Sequence, residues 1–332
     1  MEQGEPNELD PENMRQVLLD VPKQVTEASK LAKDVRITEP VDKIVITGMG
    51  GSALPGEILI SYLKDTPIPI FINKGYFLPE FVDKKSLVFT ISYSGNTEET
   101  INAFRIAARR DCQLIAISSG GKIQELAKQQ NKFHIKVPSG LQPRCAYAYQ
   151  FFPILTVLQN SQLMENKSKE IEATIAALKR PLYEERAKQL AEKIKGKVPV
   201  IYSSDRLKAI VYKWKIDFNE NTKTQAFYNI FPELNHNEMV GWTNIKGNFH
   251  IIIIKDENDY QRVKKRMEIT KNLLKNQGIP ITEIGLTGSS TLTKIFSAIY
   301  IGDWTSYYLA LAYKTDPTPV HMVEDLKKQL AL

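Results

Sequence analysis

The chain of 332 residues has few cysteines, no long apolar run and no concentration of charge of one sign. Its two cysteines, Cys112 and Cys145, exclude a disulfide framework and offer no zinc-ligand pattern. No apolar run reaches the roughly 18 residues of a membrane span, so we expect no membrane association. Residues 1–10 are acidic and polar, which predicts no secretory signal and a cytoplasmic location.

The positive charge of the chain is modest and dispersed. There are 44 Lys and Arg residues against 38 Asp and Glu, a formal net charge of +6. Basic clusters are short, such as Lys264-Lys265-Arg266, whereas nucleic-acid-binding proteins concentrate basic residues on one face or one helix. The charge therefore argues against a nucleic-acid partner and suits a small anionic substrate.

Motifs for nucleotide and metal cofactors are incomplete. The glycine-containing segment after the first apolar run, 47–53, has Ala53 at the last glycine position of the dinucleotide fingerprint. It also lacks the Gly-Lys-Ser/Thr of a nucleotide P-loop. His134, His250 and His321 do not have the spacing of a metal cluster. We therefore expect neither a metal ion nor a nucleotide cofactor.

Short β-branched runs alternate with helical patterns along most of the chain, which predicts parallel sheets covered on both faces. Strands are predicted at 43–47, 68–72, 87–91, 114–118, 133–137, 198–202, 249–254 and 281–286. Helices are predicted at 14–33, 54–63, from Glu98 onward, 206–220, 258–276 and 291–313, with an amphipathic helix at the C-terminus. The predicted fold class is α/β, with two doubly wound parallel-sheet domains. The predicted boundaries are a helical lead-in at 1–36, domains at 37–155 and 197–332, and a helical connection at 156–196.

Two polar turns follow predicted strands. Ligands in open α/β sheets bind beyond the carboxyl ends of the strands, where helix N-termini present N–H groups to an anion. The first turn is Gly48-Met49-Gly50-Gly51-Ser52, and the second carries the hydroxyls of Ser92, Ser94 and Thr97. The turns are candidates for holding a phosphate, although helix caps and tight turns use the same residue types.

These turns and three further segments resemble a known family. The segment 91–100 resembles the phosphate loop of sugar isomerase (SIS) domains, and the whole chain resembles the bifunctional phosphoglucose/phosphomannose isomerases with two SIS domains. The other segments that carry the resemblance are Gln142-Pro143-Arg144, Asn219-Glu220-Asn221 and the long segment 232–242, which begins Pro232-Glu233-Leu234-Asn235-His236.

The resemblance implies roles for individual residues. It implies that the sugar phosphate binds at Gly50, Gly51, Ser52, Ser92, Ser94 and Thr97. Arg144 would stabilise an enediolate, and Glu220 would move a proton between C1 and C2. His236, from the neighbouring subunit of a homodimer, and Lys327 would assist ring opening, with Lys328 as the adjacent alternative to Lys327. Thr318 lies near where the family places a contact to the C2 hydroxyl.

The implied activity is the interconversion of glucose 6-phosphate, and also mannose 6-phosphate, with fructose 6-phosphate through a cis-enediolate. That reaction requires a base that shuttles a proton and a fixed cation near the oxygens. Glu220 has alternatives nearby in Glu233 and Glu238, and each named residue has an ordinary structural role open to it. Two other functions stay open: an isomerase of another phosphosugar, and a non-catalytic regulator that binds phosphosugars.

Overall fold

The computed structural model describes residues 8–64 and 66–330, which form two compact units. The first-sheet unit contains residues 20–179 and 288–296, and the second-sheet unit contains residues 8–19, 180–287 and 297–330. Each unit holds one parallel β-sheet. The domain boundaries after residues 36, 155 and 196 stay predictions. Among the described residues, no helix has both the length and the hydropathy that a membrane span requires.

Helices account for much of the described chain, and most of them follow a strand. Their bounds are α1 Met14–Leu19, α2 Val21–Ala28, α3 Leu54–Tyr62, α4 Glu98–Arg109, α5 Gly121–Gln129, α6 Tyr147–Asn160, α7 Ser168–Leu178, α8 Leu182–Ile194, α9 Lys208–Asn221, α10 Glu238–Gly241, α11 Gln261–Asn276, α12 Thr291–Ala312 and α13 His321–Leu330.

The first-sheet unit contains five parallel strands in the order β2-β1-β3-β4-β5. Their bounds are β1 Lys43–Thr47, β2 Ile70–Asn73, β3 Ser86–Ile91, β4 Gln113–Ser118 and β5 Phe133–Lys136. Every residue of β3 is buried, as expected for a central strand covered by helices on both faces. On one face Val88 and Leu114 pack in the same core cluster as Phe104 of α4 and Ile123 of α5.

The second-sheet unit repeats this order with four parallel strands, β7-β6-β8-β9. Their bounds are β6 Val198–Ser204, β7 Phe227–Phe231, β8 Phe249–Lys255 and β9 Ile281–Gly285. One core cluster joins Tyr202 of β6 and Ile253 of β8 to Met267 and Leu274 of α11. In each sheet the first strand lies between the second and the third, so the predicted α/β class with two parallel sheets is confirmed.

Among the differences from the sequence-based predictions are those at one helix and at one strand. The helix expected over 14–33 is two helices, because α1 ends at Leu19 and α2 begins at Val21. Pro22 lies in the first turn of α2, where a residue without a backbone N–H is tolerated but cannot continue an earlier helix. Strand β7 was not predicted. It is an edge strand whose Phe227 is exposed, and Asn229 interrupts its run of apolar and aromatic residues.

Candidate active site

The two predicted phosphate turns lie side by side in the first-sheet unit. Strands β1 and β3 are parallel neighbours with Thr47 opposite Thr90. The turns after them therefore leave the same edge of the sheet, at the point where the strand order reverses. Such a reversal opens the crevice where ligands bind in open α/β sheets. We call the turns Gly50–Ser52 and Ser92–Thr97 together the hydroxyl cup.

Ser52 is a nearly buried member of the hydroxyl cup, 5% exposed. Its Oγ accepts hydrogen bonds from the backbone N–H of Tyr93 at 3.2 Å and from the Nε2 of Gln150 at 3.0 Å. A hydroxyl oxygen has two acceptor sites and one hydrogen. With both acceptor sites in use, Ser52 can interact further only by donating its hydrogen, which suits an anionic ligand.

The second turn of the cup is arranged in a similar way. Ser92 is buried, and its Oγ donates to Thr97 Oγ1 at 2.9 Å and accepts from the Thr97 N–H at 3.3 Å. The exposed Ser94 accepts from the N–H of Asn96 at 3.3 Å. The hydroxyl hydrogens of Ser94 and Thr97 stay available as donors, while Ser92 holds Thr97 in place.

Glycine at two positions brings the first turn close to Arg144. Gly50 has a φ of +51°, in the left-handed region that favours glycine. A Cβ at Gly51 would lie 2.8 Å from the backbone nitrogen of Arg144, so only glycine allows this approach. Arg144 lies in a 3₁₀ turn, Pro143–Cys145, and is fully buried, with Nη1 donating to Gln142 Oε1 at 3.3 Å. The structure therefore places a guanidinium-bearing turn directly against the cup.

The equivalent edge of the second sheet is occupied by protein charges. Arg206 follows β6 and forms ion pairs with Asp256 and Asp259 after β8, the latter at 3.2 Å. Ser204 Oγ donates to Asp259 Oδ1 at 2.7 Å. Both aspartates are less than 5% exposed. Two carboxylates repel an anion, so the hydroxyl cup of the first sheet is the better phosphate site of the two.

Glu220 lies one residue before the end of α9, in the second-sheet unit, and is half-buried. Just beyond the helix, the Lys223 ammonium donates to the carbonyl oxygen of Glu220 at 2.6 Å and to that of Pro317 at 3.1 Å. A cation is favourable at a helix C-terminus, where carbonyl groups lack helical partners. Lys223 thus ties the end of α9 to the segment that contains the buried Thr318.

The other two predicted catalytic residues are exposed. His236 ends a 3₁₀ turn, Glu233–His236, and Lys327 lies on α13, in which every residue is exposed. The neighbouring Lys328 pairs with Asp325 at 3.4 Å. Both residues belong to the second-sheet unit, as Glu220 does, while Arg144 and the cup belong to the first-sheet unit.

The two alternative acids have partners of their own. Glu238 accepts hydrogen bonds from the Tyr202 hydroxyl and from Asn229. Burial, followed by the bond to Glu238, raises the pKa of Tyr202, so this hydroxyl stays a donor. Glu233 accepts from Asn237 at 3.2 Å and is exposed. In residues 8–64 and 66–330, no three His, Cys, Asp or Glu side chains are grouped to hold a metal ion.

Sequence reasoning missed Gln150 and Lys223. Gln150 is a fully buried amide in α6, a helix that is apolar at most of its positions. A polar residue inside such a run was the available signal, because buried amides are retained where they form hydrogen bonds. Lys223 carried no signal of this kind, since its bond to the carbonyl oxygen of Pro317, 94 residues away in the sequence, forms only in the folded chain.

Comparison with known proteins identifies the family of this chain. Residues 38–141 match the SIS domain model, and residues 183–330 match the model described as the bacterial phospho-glucose isomerase C-terminal SIS domain. The bifunctional phosphoglucose/phosphomannose isomerase of Caldicellulosiruptor bescii is 40% identical, over 96% of this chain and 99% of that protein. The chain belongs to the bifunctional phosphoglucose/phosphomannose isomerase family.

Two further relatives and one solved structure are similar to this chain, and the solved structure shares its fold. The bifunctional phosphoglucose/phosphomannose isomerase of Aquifex aeolicus is 36% identical over 90% of this chain and 93% of its own length. The D-glucosamine-6-phosphate 4-epimerase of Sulfolobus acidocaldarius is 33% identical over 68% of this chain and 72% of its own. A hypothetical protein of Thermus thermophilus superposes with a TM-score of 0.78 at 15% identity, covering 99% of this chain and 91% of that one.

Proposed function

We propose that this protein is an aldose–ketose isomerase that interconverts glucose 6-phosphate, and also mannose 6-phosphate, with fructose 6-phosphate. The observation that carries the proposal is the hydroxyl cup, whose first turn packs at Gly51 against the turn that contains the buried Arg144. The name of relatives 36–40% identical to this chain supports the same activity. In this proposal the phosphate binds to Gly50, Gly51 and the hydroxyls of Ser52, Ser94 and Thr97, with Ser92 holding Thr97.

The proposed chemistry needs only proton movement within the sugar. In the open-chain aldose, Glu220 takes the proton from C2, and the electrons of that bond form the enediolate as the C1 carbonyl oxygen becomes negative. The proton then returns from Glu220 to C1, while the proton of the C2 hydroxyl moves to the C1 oxygen and the C2 oxygen becomes the carbonyl of the ketose. Arg144 stabilises the negative oxygen, because arginine keeps its charge at every working pH.

Ring opening comes before proton abstraction. His236 and Lys327, or Lys328 in place of Lys327, are proposed to move the protons that open the hemiacetal ring. His236 is exposed in the single chain, which supports a role in the neighbouring subunit of a homodimer. Mixing inactive Glu220→Gln and His236→Ala proteins should then restore activity, because some mixed dimers hold one intact site. No recovery despite demonstrated subunit exchange would assign His236 to its own chain.

Glucose and mannose phosphates differ only at C2, so acceptance of both depends on groups near that carbon. Thr318 is the proposed contact to the C2 hydroxyl. Its support is the bond of Lys223 to the adjacent Pro317, which fixes this segment to the end of the helix that carries Glu220. A location in the cytoplasm and the absence of a cofactor stay predictions.

An enzyme for another phosphosugar is the second candidate. The similarity to the D-glucosamine-6-phosphate 4-epimerase favours this candidate, because that relative is named for a different reaction on a different phosphosugar. Incubation with glucose 6-phosphate and no added cofactor separates the candidates. Formation of fructose 6-phosphate supports the isomerase, whereas turnover of an amino-sugar phosphate alone would favour the other enzyme. Binding without any turnover would favour a regulator.

The decisive variant is Glu220→Gln. Glutamine keeps the size of the side chain and cannot accept the proton, so kcat should fall by roughly 10²–10⁴ with little change in KM. Exchange of the C2 proton with deuterated solvent should fall in parallel. Glu233→Gln is the matched control, because Glu233 is exposed and its variant should keep the exchange reaction. A Glu220→Gln enzyme with normal exchange would overturn the assignment.

A further inference from the structure

A cavity of about 370 Å³ lies on the second-sheet unit, along one side of α11. This volume is within the range of about 300–1,000 Å³ typical of small-molecule sites. Its lining includes three cationic side chains, Arg262, Lys265 and Arg266, and no acidic one. We call it the cation cavity. The roles proposed for the hydroxyl cup and for Glu220 do not use any of these three residues.

The positive charge of the cation cavity is not balanced by the protein. In the part of the chain that the structure describes, none of the three cations forms an ion pair with a carboxylate. Glu268, the acid on the same helix, is bound instead by Lys255 at 3.0 Å and by Lys271. Like charges that are close together on a helix destabilise it, so an anion bound among them would relieve repulsion.

The rest of the lining is apolar or already hydrogen-bonded. Ile269 is 49% exposed, which leaves an apolar surface beside the cations, and Met239 adds a thioether. Thr270 is buried, and its Oγ1 accepts a hydrogen bond from Asn235 at 2.9 Å. The cavity therefore offers strong donors for an anion together with an apolar surface.

We propose that the cation cavity binds a small phosphate monoester that carries an apolar group. Guanidinium groups match phosphate oxygens with paired donors, and the lysine adds a mobile charge. The apolar part of the ligand would cover Ile269 and Met239. This inference is independent of the proposed isomerase activity, because the hydroxyl cup belongs to the other unit.

Occupancy of the cavity has a consequence for the loop that carries His236. Asn235 and Met239 line the cavity and lie on either side of His236 in the sequence. Asn235 is also within hydrogen-bond distance of Arg266, at 3.5 Å. A ligand held by Arg266 should therefore reduce opening of this loop, and the backbone amides of 235–240 should exchange more slowly with solvent.

The test is titration of phenyl phosphate by calorimetry, with orthophosphate in parallel. All proteins carry Ser94→Ala and Thr97→Ala, so that the hydroxyl cup does not compete. Arg262→Gln with Lys265→Gln should weaken phenyl phosphate binding by about tenfold or more, as expected for loss of charge-assisted hydrogen bonds. Lys246→Gln with Lys275→Gln is the matched control, because it removes two exposed charges of the same unit outside the cavity and should bind as the parent does.

The titration decides whether the cation cavity binds phenyl phosphate. Tighter binding of phenyl phosphate than of orthophosphate, lost only in the cavity variant, supports the proposal. Equal binding by the cavity variant and its control, equal weakening of both, or no binding to the parent would overturn it. A cavity variant that binds nothing and also changes the oligomeric state in sedimentation would instead assign this surface to contact between copies of the chain, and the proposal would fall.

Discussion

The buried amide of Gln150 donates a hydrogen bond to the Oγ of Ser52, 98 residues away in the sequence, at 3.0 Å. The side-chain oxygen of Gln150, Oε1, has no hydrogen-bond partner in the described chain. A buried polar atom without a partner costs about 1–3 kcal/mol. Because an apolar residue would avoid that cost, we infer that Gln150 serves to orient the Ser52 hydroxyl.

Substitution of Gln150 tests this relationship. In Gln150→Met, Ser52 loses one donor, and its hydroxyl is free to rotate away from the ligand. We expect KM for sugar phosphates to rise about 2–10-fold with kcat nearly unchanged, as for loss of one hydrogen bond. Gln159→Met is the control on the same helix, and steady-state kinetics that change equally in both variants would contradict the orienting role.

The hydroxyl cup predicts a larger effect. Ser94→Ala with Thr97→Ala removes two free donors and should raise KM by roughly tenfold or more while the fold is kept. Ser119→Ala is the matched control, since the hydroxyl of Ser119 is committed to the carbonyl oxygen of Tyr93 at 2.7 Å. Unchanged kinetics of the double variant with phosphorylated substrate would remove these residues from the site.

A buried ion group in the second-sheet unit predicts a stability effect. Lys213 is fully buried and bonded to Asp217 and Asp303, which are 1% and 2% exposed. Lys213→Met leaves two carboxylates buried without this cation, so the free energy of unfolding should fall by about 3–5 kcal/mol. Urea titration of the variant and the parent protein measures this difference in the free energy of unfolding.

Adding Asp217→Asn and Asp303→Asn to Lys213→Met should recover much of the loss, because neither position then carries a buried charge that has lost its bond to Lys213. A single Lys213→Met variant as stable as the parent protein would show that the ion group contributes little to folding.

His250 predicts a pH dependence of stability. Burial, and next the charges of Lys197 and Lys193, lowers the pKa of His250 from its ordinary 6.5 to about 4. Between these values the unfolded chain binds the proton and the folded chain does not. The free energy of unfolding contributed by neutral His250 is therefore complete above pH 6.5 and is lost as the pH falls towards 4.

The measurement is urea unfolding at pH 7 and at pH 5. His250→Asn cannot titrate, so it should lose less stability between the two pH values than the parent protein loses. Some loss should remain, because burial also lowers the pKa of His134. His321→Asn, at an exposed position, should keep the parental difference, and an equal effect of the two variants would rule out His250 as the cause.

Much of the fold and part of the site could be predicted from local sequence. The strand 43–47 was predicted with the bounds that the structure has, because a buried parallel strand is apolar at nearly every position. The turns after β1 and β3 were also identified, since glycines and hydroxyl residues directly after a strand are a local signal. The edge strand β7 was missed because Asn229 interrupts its apolar residues, and only one of its five residues is fully buried.

The sequence by itself therefore determined the two parallel sheets, the family and the identity of the turn residues. Only the tertiary structure decided which of two similar crevices suits phosphate. The crevice of the first sheet is lined by the hydroxyls of the cup and packs at Gly51 against the turn of Arg144. The crevice of the second sheet is filled by Arg206 and two buried aspartates. The tertiary structure also decided the bond of Gln150 to Ser52 and that of Lys223 to Pro317, because both partners lie far away in the sequence. Local patterns report burial and turn geometry, but hydrogen bonds between distant segments exist only once the sheet has brought those segments together.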